Sequence, residues 1–167
     1  MKKLSILKAI IDLLYYMSIP ILIILLLLVS YIFLSDETNS LPFKINGQQM
    51  NLDSIESKLF VLIGVASYLL IIYCIYLFRK ILTCFVKTEI FNKEVITNFN
   101  KMGMLIITYA LINLLCSFFY DISNRNISLE LGNSPYLILI CLGLFFMVLS
   151  EIFRIAKNQK EENDLTI

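Results

Sequence analysis

Four stretches without a single charged residue decide what this chain can fold into. They run from Leu13 to Leu34, Leu59 to Phe78, Met102 to Tyr120 and Ser134 to Ser150, and contain 22, 20, 19 and 17 residues. An α-helix rises ~1.5 Å per residue and a hydrocarbon core is ~30 Å thick, so runs of this length cross a bilayer or nearly do. Strands of a membrane barrel would alternate polar and apolar residues over segments of about ten, which these solid runs do not. The 167 residues are 59% hydrophobic and 16% charged, outside the range of an ordinary water-soluble domain.

The expected fold is an all-α integral membrane protein, a four-transmembrane-helix bundle forming one membrane domain over residues 1–167. Its spans fall at about 13–34, 59–78, 102–120 and 134–150, followed by a cytoplasmic tail at 151–167. Eleven of the fourteen Lys and Arg residues lie before the first span, between the second and third, or after the fourth. By the positive-inside rule both termini are cytoplasmic, and an even number of spans agrees. The first run is too long for the apolar core of a cleaved signal peptide and reads as a retained anchor. The plasma membrane of a bacterium is the expected address, and the lipid bilayer the first partner.

Outside the spans, the loop from Ser35 to Lys58 contains Asn46-Gly47 between Phe43-Lys44-Ile45 and Gln48-Gln49-Met50. Asn-Gly suits the positive φ angles of a type I′ turn, so a small extracytoplasmic β-hairpin is expected there. Between the second and third spans, Ile81, Leu82, Phe85, Ile90, Phe91, Val95, Ile96 and Phe99 recur at helical spacing among charged residues. Asn92 is placed to cap a helix that starts at Lys93 and enters the third span, leaving Thr88 to Asn92 as a turn. The tail ends Glu161-Glu162-Asn163-Asp164-Leu165-Thr166-Ile167, acidic with an apolar terminus, a form suited to capture by a basic or apolar groove. It is also suited to latch onto Lys87, Lys93 or Lys101 of its own chain.

Histidine, tryptophan and CxxC pairs are missing, as is a glycine-rich phosphate loop, so no enzyme, metal or cofactor is expected. Cys74, Cys84, Cys116 and Cys141 read as apolar thiols, with a Cys116–Cys141 disulfide as the lesser alternative. No ionisable residue falls inside a span, and Asp12 and Glu151 stand at the borders, which argues against a proton-coupled transporter. Asn113 is the strongly polar residue of the third span, and Gly64 and Gly143 permit close helix approach; these three are the expected helix-packing positions.

Thr88-Glu89-Ile90-Phe91 through Phe99, Met102-Gly103, Glu151-Ile152-Phe153-Arg154 and the terminal Glu161 to Ile167 together resemble the YoaS-like family of small four-span bacterial membrane proteins, over nearly the whole chain. Thr88 departs from the family in standing where many members carry Gly. The resemblance implies no defined activity. It does imply a cytoplasmic helix-turn-helix regulator as partner, since such proteins are often encoded beside one. The expected function is therefore that of a membrane-bound regulatory or adaptor protein, docking its partner through Phe91, Val95, Phe99 and the tail residues Glu161, Glu162, Asn163, Asp164, Leu165, Thr166 and Ile167. No direct contact with nucleic acid is expected. The alternatives are a structural or assembly subunit, a homo-oligomer among them, and a small oligomeric pore.

Overall fold

A computed structural model of the chain describes residues 2–34, 44–45, 48–49, 55–123 and 135–165. Four long helices account for nearly all of them: α1 (Lys2–Leu34), α2 (Ile55–Val86), α3 (Lys93–Ser123) and α4 (Pro135–Leu165). Each is long and apolar enough to cross a membrane, the make-up of a multi-pass membrane protein. All four outrun the apolar stretches inside them. At 31 to 33 residues they extend roughly 46 to 50 Å, well beyond a ~30 Å hydrocarbon core. The excess lies largely at the end carrying the chain termini, where a lysine-bearing segment continues α1 back to Lys2 and a charged one continues α4 out to Leu165.

The β-hairpin expected between α1 and α2 is corrected, because among the described residues no strand packs against the helices that make the fold. Lys44 faces Gln49 and Ile45 faces Gln48 in antiparallel register, and this two-rung pairing approaches no helix. A two-stranded ribbon without a packed apolar face has little to stabilise it in isolation. Asn46 and Gly47 lie outside the described residues.

The helices form an open row. α1 approaches only α2 and α4 approaches only α3, with α2 and α3 between them; α1 and α4 do not meet to close a ring. The most extensive contact is between α3 and α4. It depends on two glycines that face each other. A Cβ on Gly103 would stand 2.6 Å from the Gly143 carbonyl oxygen and 2.6 Å from Met147 Cγ, and one on Gly143 would stand 2.8 Å from the Gly103 oxygen. Two turns toward the terminal end, Ser150 Oγ donates to the Ile96 carbonyl oxygen at 2.7 Å, a buried bond from α4 to α3. In contrast, a Cβ on Gly64 would meet nothing within 4 Å.

The main core lies at the terminal end, where Leu77, Ile81 and Cys84 of α2 pack with Val95, Phe99 and Met102 of α3. A smaller cluster ties the far end of α1 to the start of α2 through Ile32 and Val61. Along α1 only Ser18 and Ile32 are buried among the described residues, and apart from contacts such as Tyr15 on Tyr76 and Leu28 and Val29 beside Val61, most of its apolar surface is left for lipid. Pro20 sits inside α1 without ending it, as membrane helices tolerate.

The α2–α3 turn has defined chemistry at both ends. Thr88 N donates to Phe85 O at 3.1 Å and Glu89 N to Cys84 O at 3.0 Å, the bond pair of a Schellman cap. The residue at its left-handed position is Thr88, with φ 63°. That backbone favours glycine and strains a β-branched side chain by roughly 1 to 2 kcal/mol. On the other side, Asn92 Oδ1 accepts from Glu94 N at 3.2 Å, capping α3 at the residue the sequence indicates.

Two measurements in mild detergent test this packing. Gly143→Ala should lower stability by about 1 to 3 kcal/mol through overpacking of the α3–α4 crossing, while Gly64→Ala leaves it unchanged; an unshifted Gly143→Ala midpoint would refute the close contact. Thr88→Gly should raise stability by about 1 kcal/mol and Thr88→Ala by much less, and equal effects from the two would refute left-handed strain as the cause.

Candidate functional site

Chemistry-bearing side chains gather at the terminal end, in two connected groups. The first is centred on Arg79, the residue that follows the apolar stretch of α2. Its Nε donates to Asp12 Oδ1 on α1, and its Nη2 donates to Tyr16 OH at 3.2 Å. The guanidinium carbon also stands 5.4 Å from the Tyr15 ring centre and 5.2 Å from that of Tyr16. Asp12 is the last polar residue before the apolar run of α1, so the pair joins two helices where each meets the membrane border. A planar guanidinium suits this site because it bonds a carboxylate in plane and stacks on rings with its face.

The network continues along α2. Tyr15 lies 6.0 Å from Tyr76, Tyr76 stacks on Tyr73 at 6.2 Å, and Lys80 Nζ sits 5.3 Å over the Tyr76 ring. Lys80 then pairs with Glu94 at the start of α3, 3.4 Å away. Asp12, Arg79, Tyr76, Lys80 and Glu94 thus link α1, α2 and α3 in one polar chain. Sequence reasoning missed this chain as a unit. Its signal was present, since Asp12 and Arg79 are opposite charges at the borders of consecutive apolar runs on the same side.

The second group is aromatic. Phe85 from α2, Phe91 from the turn, Phe99 from α3, and Phe146 and Phe153 from α4 converge, with Phe99 stacked on Phe153 at 5.5 Å and on Phe146 at 6.0 Å. Phe85 stands 5.8 Å from Phe153, so side chains bridge α2 and α4 although their backbones stay apart. Phe91 reaches Phe153 at 6.5 Å and lies under Lys160 Nζ at 6.0 Å.

The structure separates the residues expected to dock a partner. Val95 is 0% and Phe99 4% exposed, both inside the chain's own core, whereas Phe91 is 38% exposed. The tail is helical through Leu165, and Glu161, Glu162, Asn163, Asp164 and Leu165 are exposed along it; Thr166 and Ile167 lie outside the described residues. Glu161 pairs with Lys157 one turn back at 3.5 Å. The expected latch from tail carboxylates to Lys87, Lys93 or Lys101 is not formed among the described residues. The tail touches the turn through Lys160 on Phe91 instead. In the spans, Gly143 faces Gly103, Gly64 faces open space, and Asn113 Nδ2 donates to Tyr109 O of its own helix at 2.8 Å.

Cys74, Cys84, Cys116 and Cys141 are free thiols. Among the described residues, no group of Cys, Asp and Glu stands together in a way that would hold a metal ion. What the terminal end can do chemically is bind: it offers a row of cations, tyrosine faces and an exposed helical tail.

The Arg79 network predicts a coupling between α1 and α2. In a double-mutant cycle of Asp12→Asn and Arg79→Gln, unfolding in detergent should show an interaction energy of about 1 kcal/mol. Arg79→Lys should recover little of it, because lysine lacks the planar fork. Full recovery by lysine would reduce the site to a simple charge pair.

No curated protein and no solved structure matches this chain. A family model does match, from residue 7 to residue 167, which covers the apolar runs, the Arg79 network, the aromatic cluster and the tail together. The chain belongs to the family described as "Protein of unknown function (DUF2975)".

Proposed function

We propose that this chain is a membrane-embedded regulatory or adaptor protein, set in a bacterial plasma membrane with both termini in the cytoplasm. The observation that carries this reading is the tail. Instead of trailing as loose chain, α4 runs on as a helix for about three turns past Arg154, held at its base by Phe153 and Lys160 on Phe91. An exposed helix end with Glu161, Glu162 and Asp164 offers acidic groups to a basic or amphipathic groove. Orientation with that end in the cytoplasm is supported by the Lys and Arg excess around it.

The resemblance to the YoaS-like group supports a small helix-turn-helix regulator as the protein that docks there. The docking surface on this chain is the tail from Glu161 to Ile167 with Phe91 at its foot. Val95 and Phe99 act behind it by holding the aromatic cluster that seats Phe91 and Phe153. The protein touches no nucleic acid itself in this scheme; any effect on transcription passes through the captured regulator.

Chemical crosslinking of the tagged full chain in native membranes tests the proposal. A crosslink from the tail to a cytoplasmic DNA-binding protein, lost when the chain ends at Lys160, is the expected result. Crosslinks confined to Phe91 and its neighbours in the same chain would refute the adaptor reading.

One observation favours a second reading, a structural subunit or homo-oligomer. Gly64 sits on an outward face of the row, where nothing lies within 4 Å of a would-be Cβ and another helix can approach closely. Native mass spectrometry should then show an oligomer that Gly64→Leu disrupts, and a monomer in the wild type would dismiss this reading.

A further inference from the structure

One edge of the α2–α3 pair carries polar groups whose partners are missing. The salt bridge between Lys80 and Glu94 fixes the register of these antiparallel helices. Residues 76 and 98, and then 73 and 101, lie at equal distances on either side of the turn and so fall at matching levels. On α2, Tyr73, Tyr76 and Lys80 share a face, as the Tyr73–Tyr76 stack and the Lys80–Tyr76 contact require. On α3, the spacing of Glu94, Asn98 and Lys101 puts them on one face as well. Two facing stripes result, with rungs Lys80–Glu94, Tyr76–Asn98 and Tyr73–Lys101.

The outer rung is satisfied and the inner ones are not. Asn98 is a buried side chain, 6% exposed, and its Nδ2 finds no hydrogen-bond acceptor. Lys101 forms no ion pair or hydrogen bond among the described residues. Its level is also unusual. Opposite Tyr73, it lies six residues inside the border that Asp12 and Arg79 mark, ~9 Å along the helix. On α3 Lys101 directly precedes the apolar run that starts at Met102, while α2 beside it is apolar from Phe78 inward. A lysine at this depth leans its ammonium back toward the border and needs an anion to meet it.

The groove above these rungs has α1 on its other side, since Tyr15 approaches Tyr76 while α1 and α3 stay apart. Tyrosine faces at the membrane border, a donor without an acceptor and a cation without a counter-ion all call for an acceptor-rich anion that arrives with an apolar body attached. We propose that the α1–α2–α3 groove seats the headgroup of an anionic phospholipid, its phosphate on Lys101 with the buried Asn98 amide one turn away, its acyl chains along the exposed apolar faces of α2 and α3. Lys80, held by Glu94 and Tyr76, marks the outer rim of the site. This inference goes beyond the adaptor reading and does not depend on it.

The test uses the full chain in nanodiscs and in mild detergent, with phosphatidylglycerol and phosphatidylcholine of identical chains. Native mass spectrometry should find phosphatidylglycerol retained about fivefold over phosphatidylcholine, the preference that one basic side chain near an anionic surface confers. Lys101→Gln should erase that preference, whereas Lys101→Arg and the tail variant Lys157→Gln keep it. Acetylation rates in the unmodified protein provide a readout that needs no variant. Relative to Lys157, Lys101 should react about fivefold more slowly in phosphatidylglycerol nanodiscs than in phosphatidylcholine ones, and inorganic phosphate added to the latter should not reproduce this. Equal retention of the two lipids, an undiminished preference in Lys101→Gln, or the same protection from free phosphate would each overturn the proposal.

Discussion

In hydrocarbon, lipid tails solvate leucine as well as another leucine does, so apolar area alone does not hold spans together. What holds α3 to α4 is backbone proximity, made possible by Gly103 and Gly143. With no side chain on either, the two helices approach closely enough for dispersion along their full contact and for Ser150 to reach the Ile96 carbonyl. That crossing in turn places Phe146 and Phe153 over Phe99, and Phe153 over Phe91 at the base of the tail. The aromatic cluster, the seat of Phe91 and the direction of the helical tail all follow from one glycine pair.

The membrane spans were legible in the sequence because the absence of charge is a local property. Asn92 was legible as a cap for the same reason, since its side chain acts on the backbone two residues away. Of the helix ends, the start of α3 at Lys93 was legible and the outer ends of α1 and α4 were not fully so. Lys2 to Asp12 extends α1 on lysine, leucine and alanine, and the stretch to Leu165 extends α4 on lysine, glutamate and glutamine, all good helix formers, and nothing in hydropathy distinguishes a solvated helix from a tail. The hairpin expectation failed from the opposite cause: Asn-Gly encodes a turn locally, but the two-rung pairing beside it packs against no helix.

Pairing between helices was harder still. Gly143 and Gly64 look alike in the sequence, yet one faces a carbonyl and the other faces nothing, because the rotation of a uniformly apolar helix is not written in its own composition. Asn113 shows the same ambiguity: as a polar group in a span it suggests an interhelical bond, but its amide turns back to Tyr109. Val95 and Phe99 appeared as an amphipathic face open to a partner. Their periodicity was right, and the surface that covers them is Leu77, Ile81 and Phe153 of the same chain. The tail contact was expected between opposite charges and occurs between a cation and a ring, since the tail's own lysines reach Glu161 and Phe91 first.

The attachment of α1 has a mechanical consequence. It is pinned at two levels, by Asp12 on Arg79 at one border and by Ile32 on Val61 near the other, 20 residues or ~30 Å apart. That separation is the thickness of a hydrocarbon core, and the stretch between the pins has most of its surface against lipid. A thicker or thinner bilayer changes the tilt such a helix prefers, while the two pins fix the tilt that α2 allows. A mismatch in thickness would load an ion pair at one surface and a small apolar contact at the other, so α1 has the build of a strut braced at both membrane borders.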